Sequence, residues 1–146
     1  MNLPINEQTV LITGAGRGLG SSISKSFHRE GAKVIINYRK SYKSAKRLSD
    51  SLGDKAILIK GDIRNKEEVL QMSQELSDQK IIINTIIHNA INDYKFNGEK
   101  RKKIDEIDWQ DFQNQIETSQ QGFLNLLNIF TPSMRKENFG RFITVG

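Results

Sequence analysis

The stretch Thr13-Gly14-Ala15-Gly16-Arg17-Gly18-Leu19-Gly20 follows an apolar run, Val10-Leu11-Ile12, and opens directly onto an amphipathic segment. Strand, glycine turn and helix in that order read as a phosphate cradle. Glycines at such a junction permit a tight turn with φ > 0, admit a pyrophosphate without a Cβ in the way, and let the helix pack closely on the strand. The N–H groups opening the helix then face the ligand, and the helix dipole favours its negative charge. A second apolar run, Val34-Ile35-Ile36, returns after one helix's length of chain and completes a βαβ unit.

The same alternation continues outward. It predicts strands over 9–13, 33–38, 56–60, 81–88 and 141–145 and helices over 18–30, 41–52, 66–76 and 109–136, with Gly31 and Gly53 as helix stop signals. The strands are apolar at consecutive positions, as expected of strands covered on both faces. The expected fold class is therefore α/β, a doubly wound parallel sheet of Rossmann type, with five strands, crossover helices and an end just after the fifth strand. The last helix carries Phe112, Ile116, Ser119, Phe123, Leu127 and Phe130 at helical spacing, a stripe read as core or subunit interface. The longest connection, over 91–107, leaves the carboxyl end of the fourth strand, the edge where open α/β sheets bind ligands.

With 146 residues the chain has the size of one domain, 1–146. It has no cysteine, which excludes a disulfide framework, a thiolate metal site and a cysteine nucleophile, and no metal site is expected. The opening Met1-Asn2-Leu3-Pro4-Ile5-Asn6-Glu7 lacks the basic start and apolar core of a signal peptide, and no apolar stretch is long enough to span a bilayer, so no membrane association and a cytoplasmic location are expected. The formal charge of +5 invites a nucleic-acid reading. Its distribution argues against one, because the basic residues lie beside acids, as in Lys66-Glu67-Glu68, and the aromatic residues form no stacking platform. Two denser basic patches, 39–47 and Lys100-Arg101-Lys102-Lys103, read as solvated faces; the second also offers a means of steering an acidic carrier protein.

With strand, Thr-Gly-x-x-x-Gly-x-Gly turn and helix in place, the chain resembles the short-chain dehydrogenase/reductase family, and within it the 3-oxoacyl-[acyl-carrier-protein] reductase-like members. The resemblance runs the whole length: Thr13 to Gly20, Gly61-Asp62-Ile63, Asn89-Ala90, Gly122 with Pro132-x-Met134, and Gly140-Arg141. It implies a nicotinamide dinucleotide cofactor, with Gly14, Gly16, Gly18, Leu19 and Gly20 around its pyrophosphate, Asp62 and Ile63 flanking its adenine, and Asn89 and Ala90 beside the adjoining ribose. It also implies a small-molecule or acyl-carrier-linked carbonyl substrate and a homo-oligomeric full-length form.

Cofactor choice follows from charge. An NAD site places Asp or Glu about 20 residues beyond the glycines to accept from the ribose 2′-hydroxyl. Here Tyr38-Arg39-Lys40-Ser41 stands at that strand end. Arg39 offers a guanidinium fork to a 2′-phosphate and Arg17 a second positive charge, which predicts NADP(H).

Family members move hydride between the nicotinamide and a carbonyl or alcohol, using a Tyr as acid/base, a Lys that lowers its pKa, and a Ser that polarises the carbonyl. In the family pattern these residues follow the fifth strand, whereas the present sequence ends at Gly146, one position before that Ser. The expectation is an NADP(H)-dependent carbonyl reductase's cofactor-binding part, inactive by itself; the alternative is a non-catalytic dinucleotide-binding module. A Tyr-x-x-x-Lys at Tyr42 and Lys46 lies at the wrong end of the expected cofactor and reads as a surface pair. His88 reads as a packed strand-end residue. Two positions depart from the family: Ile91 stands where a Gly is usual, and Ser119 where an Asn commonly holds a relay water, leaving Ser119 as a weak substitute.

Overall fold

A computed structural model describes residues 3–92 and 98–146, Lys100 by its backbone only. The strands are β1 (Thr9–Ile12), β2 (Lys33–Tyr38), β3 (Ala56–Lys60), β4 (Thr85–His88) and β5 (Arg141–Thr144), and the helices are α1 (Gly18–Arg29), α2 (Tyr42–Leu52), α3 (Lys66–Asp78), α4 (Trp109–Ile116) and α5 (Gly122–Lys136). The strands form one parallel sheet in the order β3-β2-β1-β4-β5. Strand order reverses between β1 and β4, where Val10 pairs with Val34 on one side and Thr85 on the other.

Consecutive apolar residues in the central strands serve two cores. Val10, Ile12, Val34, Ile36 and Ile87 pack towards Ala45 and Leu48 of α2. Leu11, Ile35 and Ile86 face the opposite way, towards Val69, Met72 and Leu76 of α3 and Leu126, Phe130 and Met134 of α5. Burial on both faces holds for β1, β2 and β4 but not throughout: β3 and β5 are edge strands, and β5 is largely exposed.

Two predicted elements need correction. The strand predicted over 81–88 begins at Thr85, because the chain is still closing α3 when it reaches Ile81. Lys80 adopts φ 58°, its N–H donates to the Ser77 carbonyl, and the Ile81 N–H reaches back 2.8 Å to that of Leu76, a helix-terminating motif that usually employs glycine. Asn84 then meets Thr9 through both backbone and side chain, its Oδ1 accepting from the Thr9 N–H at 2.8 Å.

The helix predicted over 109–136 is interrupted by a π-helical turn, Glu117–Gln121. Thr118 and Ser119 donate to the carbonyls of Asn114 and Gln115, four residues back, a bonding mode that loosens and bends helices. The buried face consequently runs Thr118, Gly122, Asn125, Leu126, Phe130 and Met134, while Phe112 and Ile116 of the expected apolar stripe stay exposed. Gly122 is needed there, since a Cβ would sit 2.7 Å from Ile63 Cδ1.

Candidate cofactor groove

A groove of about 670 Å³ opens at the carboxyl ends of the strands, beside the reversal in strand order, and falls in the size range of small-molecule sites. Gly14, Arg17, Gly18 and Leu19 line it from the glycine turn, Tyr38 and Arg39 from the end of β2, Asp62 and Ile63 from the turn after β3, and Asn89 and Ala90 from the end of β4. The remaining two candidates, Gly16 and Gly20, are buried behind the turn. A Cβ on Gly16 would lie 2.9 Å from Ser41 Oγ, and one on Gly20 would lie 2.5 Å from the Gly14 carbonyl oxygen. Those two glycines permit close packing, whereas Gly18, at φ 54° with open space around it, meets the conformational demand of the turn.

The walls are clamped by Thr13. Its hydroxyl oxygen accepts from the N–H groups of Asn89 and Ala90, both at 3.0 Å, and its proton points to the Ile87 carbonyl at 3.4 Å. Asn89 returns the contact, donating from Nδ2 to the Thr13 carbonyl at 3.1 Å and to that of Gly14 at 3.4 Å. The glycine turn and the end of β4 are therefore tied together by hydrogen bonds in both directions.

Helix capping separates the groove from the rest of the molecule. Asn65 caps α3 by accepting from the N–H groups of Glu67 and Glu68, and Asp108 caps α4 through Asp111 N–H. No side-chain cap closes α1 at Arg17 or α2 at Ser41, and both of those residues line the groove. The first N–H groups of α1 are thus left without a side-chain cap, where an anion suits them, whereas the first N–H of α2, that of Tyr42, donates to the Lys40 carbonyl at 3.0 Å. The glycine cradle, the open end of α1 and the cations Arg17, Arg39 and Lys40 fit a dinucleotide's phosphates.

Asp62 sits among opposing charges. Arg64 grips both its oxygens, Nε at 3.0 and 3.1 Å and Nη2 at 2.6 Å, while Arg39 Nη1 approaches Oδ2 at 3.5 Å. The Arg64 guanidinium holds the Asp62 carboxyl below its ordinary value, with a smaller push of the same sign from Arg39.

Other expected residues fall elsewhere. Ser119 is exposed and its hydroxyl is turned back onto its own helix at 2.7 Å from the Gln115 carbonyl; its neighbour Thr118 lines the groove instead. His88 is buried, its Nε2 3.2 Å from the Thr118 carbonyl and its ring 5.6 Å from that of Phe123. Burial lowers its pKa, which keeps the imidazole neutral and makes Nε2 the donor. Tyr42 is exposed and Lys46 is paired with Asp50, both away from the groove lining. Ile91, 72% exposed, lines the groove where it adds apolar bulk. Of the basic patch at 100–103, Lys102 is held by Asp108 at 3.0 Å and Asp111 at 2.7 Å, so its charge is answered within the chain. The Lys100 side chain and residues 93–97 of the connection lie outside the described residues.

A sequence model of short chain dehydrogenases matches residues 8–146. The chain belongs to that family. Among its relatives, the NADP-dependent 3-hydroxy acid dehydrogenase YdfG of Escherichia coli is 29% identical over 137 residues, covering 94% of this chain and 53% of that protein. The NADPH-dependent pterin aldehyde reductase of Arabidopsis thaliana is 29% identical over 147 residues, covering 99% and 58%. The solved structure of a 3-ketoacyl-(acyl-carrier-protein) reductase from Brucella melitensis complexed with NADH superposes with a TM-score of 0.78 at 25% identity, covering 95% of this chain and 56% of that one. The chain spans about half the length of the curated relatives it matches. As a short chain dehydrogenase it carries an oxidoreductase's fold, and no helix among its described residues is long and apolar enough to cross a membrane.

Sequence reasoning missed Thr13 as the clamp, Thr118 as a lining residue and Arg64 as the partner of Asp62. Arg64 was within reach, because an Asp and an Arg two residues apart after a strand can close a side-chain turn. Thr118 was not, since the π-helical turn that presents it leaves no local trace in the sequence.

Proposed function

We propose that this chain binds NADP(H) in the groove and is the cofactor-binding part of an oxidoreductase that transfers hydride to a carbonyl, with a 3-oxoacyl thioester as the substrate class. Gly14, Gly18 and Leu19 would hold the pyrophosphate with the open end of α1, Asp62 and Ile63 the adenine, and Asn89 and Ala90 the ribose. The bound cofactor would supply the hydride. No residue lining the groove is assigned a proton-transfer role, so cofactor binding alone is proposed for these 146 residues.

The end of β2 carries the choice of NADP(H). Where an NAD site presents a carboxylate, Tyr38, Arg39, Lys40 and Ser41 line the groove, and Arg17 joins them from the glycine turn. Two relatives named for NADP or NADPH dependence support the same choice. The support for a 3-oxoacyl thioester is the likeness to the Brucella melitensis reductase, and that structure was solved with NADH. A homo-oligomeric, cytoplasmic enzyme completes the proposal.

Fluorescence titration of the 146-residue chain with NADPH and NADH tests the reading. NADPH is expected to bind at least about tenfold more tightly, the worth of one or two charge-assisted hydrogen bonds. Equal affinities, or oxidation of NADPH by the isolated chain when a carbonyl is added, would refute it.

A further inference from the structure

We infer that Arg64 is a positioning residue for the cofactor's 2′-phosphate, acting through Asp62 on Arg39. The inference rests on the NADP(H) reading above. Arg39, the residue assigned to the phosphate, lies beside a carboxylate that competes for its guanidinium. Asp62 and Arg39 approach at 3.5 Å, with side chains only 17% and 25% exposed, where solvent screens the attraction weakly. An Asp62 left to Arg39 alone would close on it and oppose its transfer to phosphate.

Arg64 prevents that by claiming the same oxygens first. Its contacts with Asp62 are 2.6 to 3.1 Å long and bidentate, against the 3.5 Å approach of Arg39. Oδ2 is shared by both arginines, and the one with the shorter contacts sets the position of the carboxylate.

Arg64 is itself held in place from three directions. Its N–H donates to Asp62 Oδ1 at 3.1 Å, and the Asn65 N–H closes the turn onto the Asp62 carbonyl at 3.0 Å. Asn125, buried on α5, donates from Nδ2 to the carbonyls of Ile63 at 2.9 Å and Arg64 at 3.1 Å. Glu117, first residue of the π-helical turn, lies 3.9 Å from Arg64 Nη1. The guanidinium is thus held between Asp62 and Glu117, outside the groove lining, which gives it the role of aiming Asp62.

The test compares NADPH and NADH dissociation constants of the 146-residue chain in the wild type, Arg64→Gln, Arg64→Lys, Arg39→Gln and the double variant Arg39→Gln/Arg64→Gln. Arg64→Gln is expected to lower the preference for NADPH by about tenfold, the equivalent of one charge-assisted contact, while NADH affinity stays within about threefold. A merely structural role would weaken both cofactors together. Arg64→Lys keeps the charge without the fork and is expected to lose only about threefold in preference. On the Arg39→Gln background, Arg64→Gln is expected to move the preference no further.

An unchanged preference in Arg64→Gln, or an undiminished effect of it on the Arg39→Gln background, overturns the inference while leaving the NADP(H) reading intact. A wild type without preference, or one whose preference survives Arg39→Gln, overturns both. Should Arg64→Gln fail to fold by circular dichroism, Arg64→Lys decides: a preference equal to wild type overturns the inference.

Discussion

Replacing Thr13 by valine keeps the shape of the side chain and removes the hydroxyl that joins the glycine turn to the end of β4. Thr13 is fully buried, and its hydroxyl uses its whole capacity, accepting twice and donating once. Valine leaves the N–H groups of Asn89 and Ala90 without that acceptor. Each orphaned buried amide costs about 1–3 kcal/mol, and because both residues are half-buried and water reaches the groove, about 2–3 kcal/mol for the pair is reasonable. Thr13→Ser is the control, retaining the hydroxyl and giving up one buried methyl worth about 1 kcal/mol. With a urea slope of about 2 kcal/mol per M, the Thr13→Val midpoint is expected about 0.5–1 M below that of Thr13→Ser. A valine variant as stable as the serine variant would refute the clamp and leave Thr13 as ordinary packing.

Two further outcomes follow from the same geometry. A base whose pKa is lowered on folding binds fewer protons native than unfolded, so the stability tied to His88 is fully present above its ordinary value of 6.5 and declines as pH falls below it. Urea midpoints measured from pH 7.5 to 5.5 are expected to fall with a slope of up to about 1.4 kcal/mol per pH unit, less so in His88→Asn; identical pH profiles for the two proteins would exclude His88 as the source. Among the glycines, Gly20→Ala is expected to cost about 1–3 kcal/mol and to abolish cofactor binding, because its Cβ would lie 2.5 Å from the Gly14 carbonyl oxygen and 2.7 Å from Asn89 Nδ2. Gly61→Ala meets only the flexible Met72 side chain, so equal melting temperatures for the two variants would contradict that distinction.

What was legible in the sequence was whatever depends on neighbours along the chain. Val10-Leu11-Ile12 and Val34-Ile35-Ile36 announce doubly covered strands because their successive side chains must satisfy two cores at once. The glycine turn declares its place between strand and helix, and ten of the twelve cofactor candidates line one groove, the two others standing behind its wall. Illegible was whatever depends on contacts made in space. Lys80 and Asn138 end helices at φ 58° and 53°, positions where a reader looks for glycine, and only the closing hydrogen bonds mark them. The expected stripe on the long helix followed apolar residues, whereas the face that docks against the turn after β3 is made by Gly122 and Asn125, one small and one polar.

The formal charge of +5 acquires meaning only when its parts are placed. Lys102 bridges two acids at the start of α4, Lys46 meets Asp50 on α2, and Arg64 is bound to Asp62. These cations are answered by acids of the chain, and the exposed pairs among them contribute little to stability and nothing to a long-range field. Arg17, Arg39 and Lys40 line the groove together with the uncapped start of α1, so positive charge and helix N–H groups converge at one place. Among the described residues lining that groove Asp62 is the lone acid, and its carboxylate is gripped by an arginine from outside the lining. With Arg39 beside Asp62 and Arg17 and Lys40 lining the same groove, these cations are what would tell the proposed NADP(H) from NAD(H), since the two differ by one phosphate on the adenosine ribose.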